Sequence, residues 1–222
     1  GHSTDRLFKV GANGATIDAS GTEALTFTNT GIIDKVVSTS PTLTLTGSGS
    51  ATLSQSWGNP TSGTSSLTKT GTGSWFLSHG GAGVSQYTGA TSILGGVISI
   101  VPGVNGHPIP VGASLYINGA TLSYAGSSAL TLSGINFSIG ANGATLDASG
   151  TGIFSIPAPT VTDATNPTLI LTGTGTGTFT ATLANTAVTA GTYGSATEVP
   201  VFTVDAKGRI TGVSNTSITT GG

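Results

Sequence analysis

Phe8-Lys9-Val10-Gly11-Ala12-Asn13-Gly14-Ala15-Thr16-Ile17-Asp18-Ala19-Ser20-Gly21-Thr22 returns later in the chain as Phe137-Ser138-Ile139-Gly140-Ala141-Asn142-Gly143-Ala144-Thr145-Leu146-Asp147-Ala148-Ser149-Gly150-Thr151. Downstream of each, Pro41-Thr42-Leu43-Thr44-Leu45-Thr46-Gly47 returns as Pro167-Thr168-Leu169-Ile170-Leu171-Thr172-Gly173. Residues 8–53 and 137–183 therefore read as two copies of one unit around a different middle. A β-sandwich rarely tolerates such copying, because its strands are all structurally distinct. A solenoid tolerates it, since each coil touches only its neighbours. The two copies are expected to follow one backbone path, with Gly11, Gly14, Gly140 and Gly143 in turns, some at positive φ.

The pattern between the copies agrees. Apolar residues never recur at helical spacing for longer than a turn, whereas alternation is everywhere. Leu43 and Leu45 alternate with threonines, Ile98 and Ile100 with Ser99, and Leu130 and Leu132 with Thr131 and Ser133. Gly47-Ser48-Gly49, Gly71-Thr72-Gly73, Gly80-Gly81 and Gly95-Gly96 break these runs into strands of four to seven residues. Glycine and serine are poor in helix interiors and threonine loses rotamer freedom there, but threonine suits strands.

Composition excludes several classes. Charged residues are 6% of the chain and the net charge is -2, so no basic cluster exists to neutralise phosphates and nucleic acid is not an expected partner. Mean hydropathy is +0.25, unlike a disordered chain, yet no run reaches the roughly 18 apolar residues of a membrane span. There is no Cys, hence no disulfide or thiolate site. Stability must come from burial, backbone ladders or oligomerisation. There is no Met either, so Gly1-His2-Ser3 reads as a cloning scar or processed end, and residues 1–6 as a scar or disordered end.

Two stretches resemble known families. Leu67-Thr68-Lys69-Thr70-Gly71-Thr72-Gly73-Ser74-Trp75-Phe76-Leu77-Ser78, followed by Tyr87-Thr88-Gly89-Ala90-Thr91-Ser92-Ile93-Leu94-Gly95-Gly96-Val97-Ile98-Ser99-Ile100, resembles the autotransporter-associated β-strand repeat. That resemblance, over residues 67–100, implies coils of a right-handed parallel β-helix. It departs from the family at Trp75 and Phe76, where smaller residues are usual, and at residues 79–86, a longer connection without the family's Asn. Near the C-terminus, Val188-Thr189-Ala190-Gly191-Thr192-Tyr193-Gly194-Ser195-Ala196-Thr197-Glu198-Val199-Pro200-Val201-Phe202-Thr203-Val204-Asp205-Ala206-Lys207-Gly208-Arg209-Ile210-Thr211 is similar to a segment of phage tail-fibre proteins. Pro200 suits an edge or strand start. Asp205-Ala206-Lys207-Gly208 reads as a type I turn closing a hairpin between residues 201–204 and 209–213. A lone hairpin is marginal in water. The same hairpin from two other chains is its expected cover, which makes the chain a homotrimer.

Residues that could carry chemistry are few. A glycan-cleaving site needs two carboxylates about 5–9.5 Å apart. The eight acids are Asp5, Asp18, Glu23, Asp34, Asp147, Asp163, Glu198 and Asp205. Asp18 and Asp147 occupy one place in the two copies, and each reads as a turn-forming or ladder-capping Asp copied with its scaffold rather than an active-site acid. Glu23, the acid nearest Asp18, has Gly152 as its counterpart. His2, His79 and His107 are isolated, with no second ligand at metal spacing. Gly11-Ala12-Asn13-Gly14 lacks the lysine and helix of a phosphate loop. No serine sits in a nucleophile-elbow setting. No catalytic residue, metal or cofactor is expected.

The aromatics are the better signal. Trp57, Trp75, Phe76, Tyr87 and Tyr116 all fall between residues 57 and 116. Sugar rings stack on Trp and Tyr, whose rings also suit protein surfaces. Trp57, Trp75, Tyr87 and Tyr116 are therefore the candidate binding residues, against core or trimer packing for the same rings. Because Trp75 and Phe76 are adjacent, at least one must point inward.

The expected fold is all-β: a right-handed parallel β-helix or β-solenoid over residues 7–185, then a C-terminal β-hairpin segment over 186–222. At about 20 residues per coil it would have eight or nine rungs and a length of roughly 40 Å. The resemblances together imply a structural shaft or receptor-binding part of a phage tail fibre. It would be extracellular on the virion, joined to itself and to other fibre segments, and would meet a host-surface glycan or protein. A bacterial autotransporter passenger adhesin is the alternative, and a glycan-cleaving tailspike a more distant one.

Overall fold

The computed structural model describes residues 1–35, 40–78, 87–101, 108–110, 112–161, 167–174, 179–180, 188–205 and 208–219. Two compact units divide the chain, Gly1–Ala181 and Thr182–Gly222. All regular structure among the described residues is β.

The first unit is a β-solenoid. Its eight-stranded and seven-stranded sheets are parallel throughout, and strands from one sheet alternate along the chain with strands from the other. Short pairs supply a further side: Lys9–Val10 with Asp34–Lys35 early in the chain, and Leu130–Thr131, Phe154–Ser155 and Phe179–Thr180 later. Thr26 pairs with Thr52, Thr52 with Phe76 and Phe76 with Ser99, and these intervals give the length of successive coils. Each coil is longer than the sequence pattern suggests. Strands and tight turns alone make a shorter circuit, and the short third side adds the remainder.

Alternation fixes which residues are inside. In Thr42–Thr46 the leucines are buried and the threonines face outward. Register stacks like positions from coil to coil. One column of the seven-stranded sheet runs Ile17, Leu45, Lys69, Ile93, Ile117, Ile139, Val161, buried from Leu45 to Ile139 and open at its last member, Val161. One of the eight-stranded sheet runs Leu25, Ala51, Trp75, Ile98, Leu122, Leu146, Leu171, buried from Ala51 to Leu146 and open at Leu171. Each fully buried aliphatic side chain in such a column contributes about 1.5–3 kcal/mol. The corner between the two sheets is built from glycine because coils approach closely there. Gly71 has φ +69°, and a Cβ on it would lie 2.6 Å from the Gly47 carbonyl oxygen. The Gly73 amide donates to that same oxygen at 2.9 Å.

The two sequence copies share their local path but not their place. In each, a strand leads through a turn closed by the same bond, Gly14 N–H to Gly11 O and Gly143 N–H to Gly140 O, both 3.0 Å. Gly14 and Gly143 have φ 82° and 76°. The strand after the turn pairs in the same register, Ala15 with Leu43 and Ala144 with Leu169. Yet Ala15–Asp18 belongs to the seven-stranded sheet and Ala144–Asp147 to the eight-stranded one. The stretch from Phe8 to Phe137 is not a whole number of coils of the length that separates Thr52 from Phe76. What is left over is about one strand and a turn, so the second copy is advanced by one side of the coil.

The N-terminal residues, expected as a scar or loose end, contribute a strand: His2–Thr4 pairs with Leu25–Phe27. The second unit is the expected hairpin with longer arms. Glu198–Val204 pairs antiparallel with Ile210–Ser217, with a register shift at Thr203/Val204. Gly208 has φ 78° and donates to Asp205 O at 3.0 Å. The Asp205 carboxylate accepts from the Arg209 N–H at 3.0 Å and from its Nε at 2.8 Å. Ala206 and Lys207 lie outside the described residues.

Candidate binding surface

Three of the four expected binding aromatics are interior. Trp57 is 2% exposed, and Trp75 and Tyr87 are 0%. Each hides a polar handle that a neighbouring carbonyl or hydroxyl satisfies. Trp57 Nε1 donates to Ser66 O at 3.0 Å and Trp75 Nε1 to Thr46 O at 3.0 Å. The Tyr87 hydroxyl lies 2.6 Å from Thr91 Oγ1, and burial pushes its phenol well above the usual range. None of the three can stack on an outside ligand, so their assignment as binding residues is corrected to core. Parity carried this information: Trp75 shares a face with Leu77, while Ser74 and Ser78 take the other. Phe76 is therefore the outward ring of that pair, and it is half-buried.

Tyr116 alone of the four stays on the surface. It stands in an outward column of hydroxyl side chains on the seven-stranded sheet, Thr16, Thr44, Thr68, Ser92, Tyr116, Ser138, Thr160. Its hydroxyl reaches over Gly140 on the next coil, where any Cβ would collide with it. The ring therefore lies along the sheet rather than standing off it, and it is half-buried. Asn118 converges on the same glycine, its Cγ 2.7 Å from where a Cβ would sit, and accepts the Asn142 backbone N–H on Oδ1 at 2.8 Å.

Asn142 opens onto a surface groove of about 380 Å³. Its floor is an outward column of the eight-stranded sheet, the register partners Val97, Thr121, Thr145 and Ile170. Its side is the corner, where Thr72, Gly96, Gly119, Asn142 and Thr168 follow one another coil by coil. Among the described residues no charged side chain lines it. Sequence reasoning passed over Asn142, Thr145 and Thr168 because they belong to the repeat and look like scaffold. Their gathering depends on register between coils.

Four of the acids bond to groups of the same unit. Ser20 Oγ donates to Asp18, and Ser149 Oγ donates to Asp147 at 2.5 Å, the same bond in each copy. Asp147 also accepts from Ser123 Oγ at 3.0 Å. Glu23 meets the chain's amino terminus at 2.7 Å and Asp34 meets Lys9 at 2.7 Å, which raises the Lys9 ammonium above its usual value. Among the described residues no three His, Asp or Glu side chains gather as a metal site. His79, His107 and Asp163 lie outside the described residues, as does the 79–86 connection.

One interior charge was not anticipated. Lys69 is 0% exposed and stands between Leu45 and Ile93 in an aliphatic column. Its ammonium donates to the carbonyls of Thr70, Gly71 and Gly95 at 2.5, 3.0 and 3.1 Å. Burial holds it below the usual lysine range. Alternation with Leu67 placed it inside, since Thr68 and Thr70 face out.

In the second unit, cross-strand pairing puts Pro200, Phe202, Val204, Ile210 and Val213 on one face. Phe202 is 54% exposed, Val204 58% and Ile210 41%. No protein-family model, curated protein or solved structure matches the chain.

Proposed function

We propose that the chain is a structural and receptor-binding part of a phage tail fibre, lying outside the cell on the virion and attaching it to the host surface. A β-solenoid of low charge, with hydroxyl columns outside and aliphatic columns inside, suits a stiff adhesive element. The observation that carries the reading is the uncovered apolar face of the C-terminal hairpin, around Phe202, Val204 and Ile210. Two strands with such a face are not stable alone in water. The natural cover is the same hairpin of two further chains, which makes a homotrimer and ties the solenoid into a fibre with its neighbouring segments. The resemblance of residues 188–211 to tail-fibre segments points the same way.

An autotransporter passenger adhesin shares the solenoid and the resemblance at 67–100, but gives the hairpin no comparable role. A glycan-cleaving tailspike would need two carboxylates facing one cleft. Asp18 and Asp147 are instead tied to neighbouring serines. The test is adsorption of the labelled chain to a panel of bacterial strains, with release of reducing sugar followed in parallel. Saturable adsorption to a subset of strains without sugar release is expected. Adsorption to no strain, or sugar release, would contradict the proposal.

A further inference from the structure

We infer that the groove floored by Val97, Thr121, Thr145 and Ile170 binds an uncharged saccharide chain, with Tyr116 as an aromatic platform beside it; this rests on the receptor-binding reading above. The ligand class follows from what the groove offers. Asn142, Thr121, Thr145 and Thr168 present amide and hydroxyl groups, each able to donate and accept, as sugar hydroxyls also do. Val97 and Ile170, the latter 52% exposed, give apolar surface for the C–H faces of sugar rings. An acidic glycan would leave its carboxylates without a cationic partner here, because no Lys or Arg among the described residues lines the groove.

Shape agrees with a chain rather than a single sugar. The floor crosses four stacked strands, a span of about 14 Å at the usual strand spacing. At the corner, Asn118 links Asn142 to Tyr116 by the bond to the Asn142 N–H and by their shared approach to Gly140. A saccharide leaving the groove over that corner meets the Tyr116 ring, which lies along the surface.

The test measures binding of the full chain to a printed array of neutral and acidic oligosaccharides, and to bacterial cells before and after periodate oxidation of their surface sugars. Thr145→Trp fills the groove floor, Asn142→Ala removes an exposed amide and Tyr116→Ala removes the platform. Each should weaken binding to neutral oligosaccharides by about tenfold or more, with circular dichroism unchanged. Binding that survives all three substitutions would overturn the site while leaving the receptor-binding reading in place. Cell binding that survives periodate, with no array binding, would overturn the ligand class in favour of a protein receptor. Loss of both cell and array binding in the unaltered chain would overturn this inference and the reading under it together.

Discussion

The indole N–H of Trp75 donates to the backbone carbonyl of Thr46, one coil earlier, at 3.0 Å. The largest interior side chain of that coil thus also closes an acceptor at the corner between the two main sheets. Trp75→Leu removes ring volume and the bond together. A loss of about 3–5 kcal/mol is expected from urea unfolding at neutral pH. A loss under about 1 kcal/mol would show that the coils repack around the gap.

Lys69 makes a second link of this kind, from inside an aliphatic column to three corner carbonyls. Lys69→Met keeps most of the volume and leaves those acceptors without the donor. Destabilisation by about 1–3 kcal/mol is expected. A more stable Met variant would mean that the cost of burying the charge outweighs its three bonds.

Glycine at the corner serves close approach as well as backbone freedom, and two substitutions separate these. Gly71→Ala meets both a φ of +69° and the Gly47 carbonyl oxygen at 2.6 Å. Gly208→Ala meets only a φ of +78°, with open space around it. Gly208→Ala should cost about 1 kcal/mol and Gly71→Ala more than twice that. Equal losses in thermal unfolding would contradict the ladder's tight spacing.

Buried tyrosines set the alkaline limit. Burial raises the Tyr87 phenol above its ordinary 10.0, and Tyr124 in the same direction. Their contribution is fully present below pH 10. Above it the unfolded chain ionises while the folded one keeps its protons, so stability falls as pH rises, by at most about 1.4 kcal/mol per pH unit for each group. Lys69, lowered from 10.5, acts with the opposite sign up to that value. Urea midpoints measured from about pH 8 to 11.5 should drop beyond 10, and Tyr87→Phe should flatten the drop. An unchanged drop in Tyr87→Phe would contradict this origin.

Much of this was legible in the sequence. Alternation in Thr42–Thr46 and Ser66–Lys69 marked strands and their inner faces. The copied Gly-Ala-Asn-Gly marked two like turns, and Asp205 to Gly208 marked the hairpin. What stayed open is the relation between distant coils. The local code of the repeat specifies strand, turn and partner. It does not specify which side of the coil they occupy, because the intervening chain length decides that. The groove was hidden for the same reason: Thr121, Thr145 and Ile170 become neighbours only through register. The aromatics differ from expectation because parity outweighs residue type; Trp75 shares the face of Leu77 and goes in, while Phe76 beside it does not.

The central claim is that the hairpin face around Phe202 and Val204 is covered by copies of the same chain. The direct measurement is the native mass of the full chain by sedimentation equilibrium, with Phe202→Ser and Val204→Asp combined in a variant beside it. The expected mass is three times the 21.5 kDa of one chain, falling toward a single chain in the double variant. A mass of 21.5 kDa for the unaltered, folded chain would contradict it.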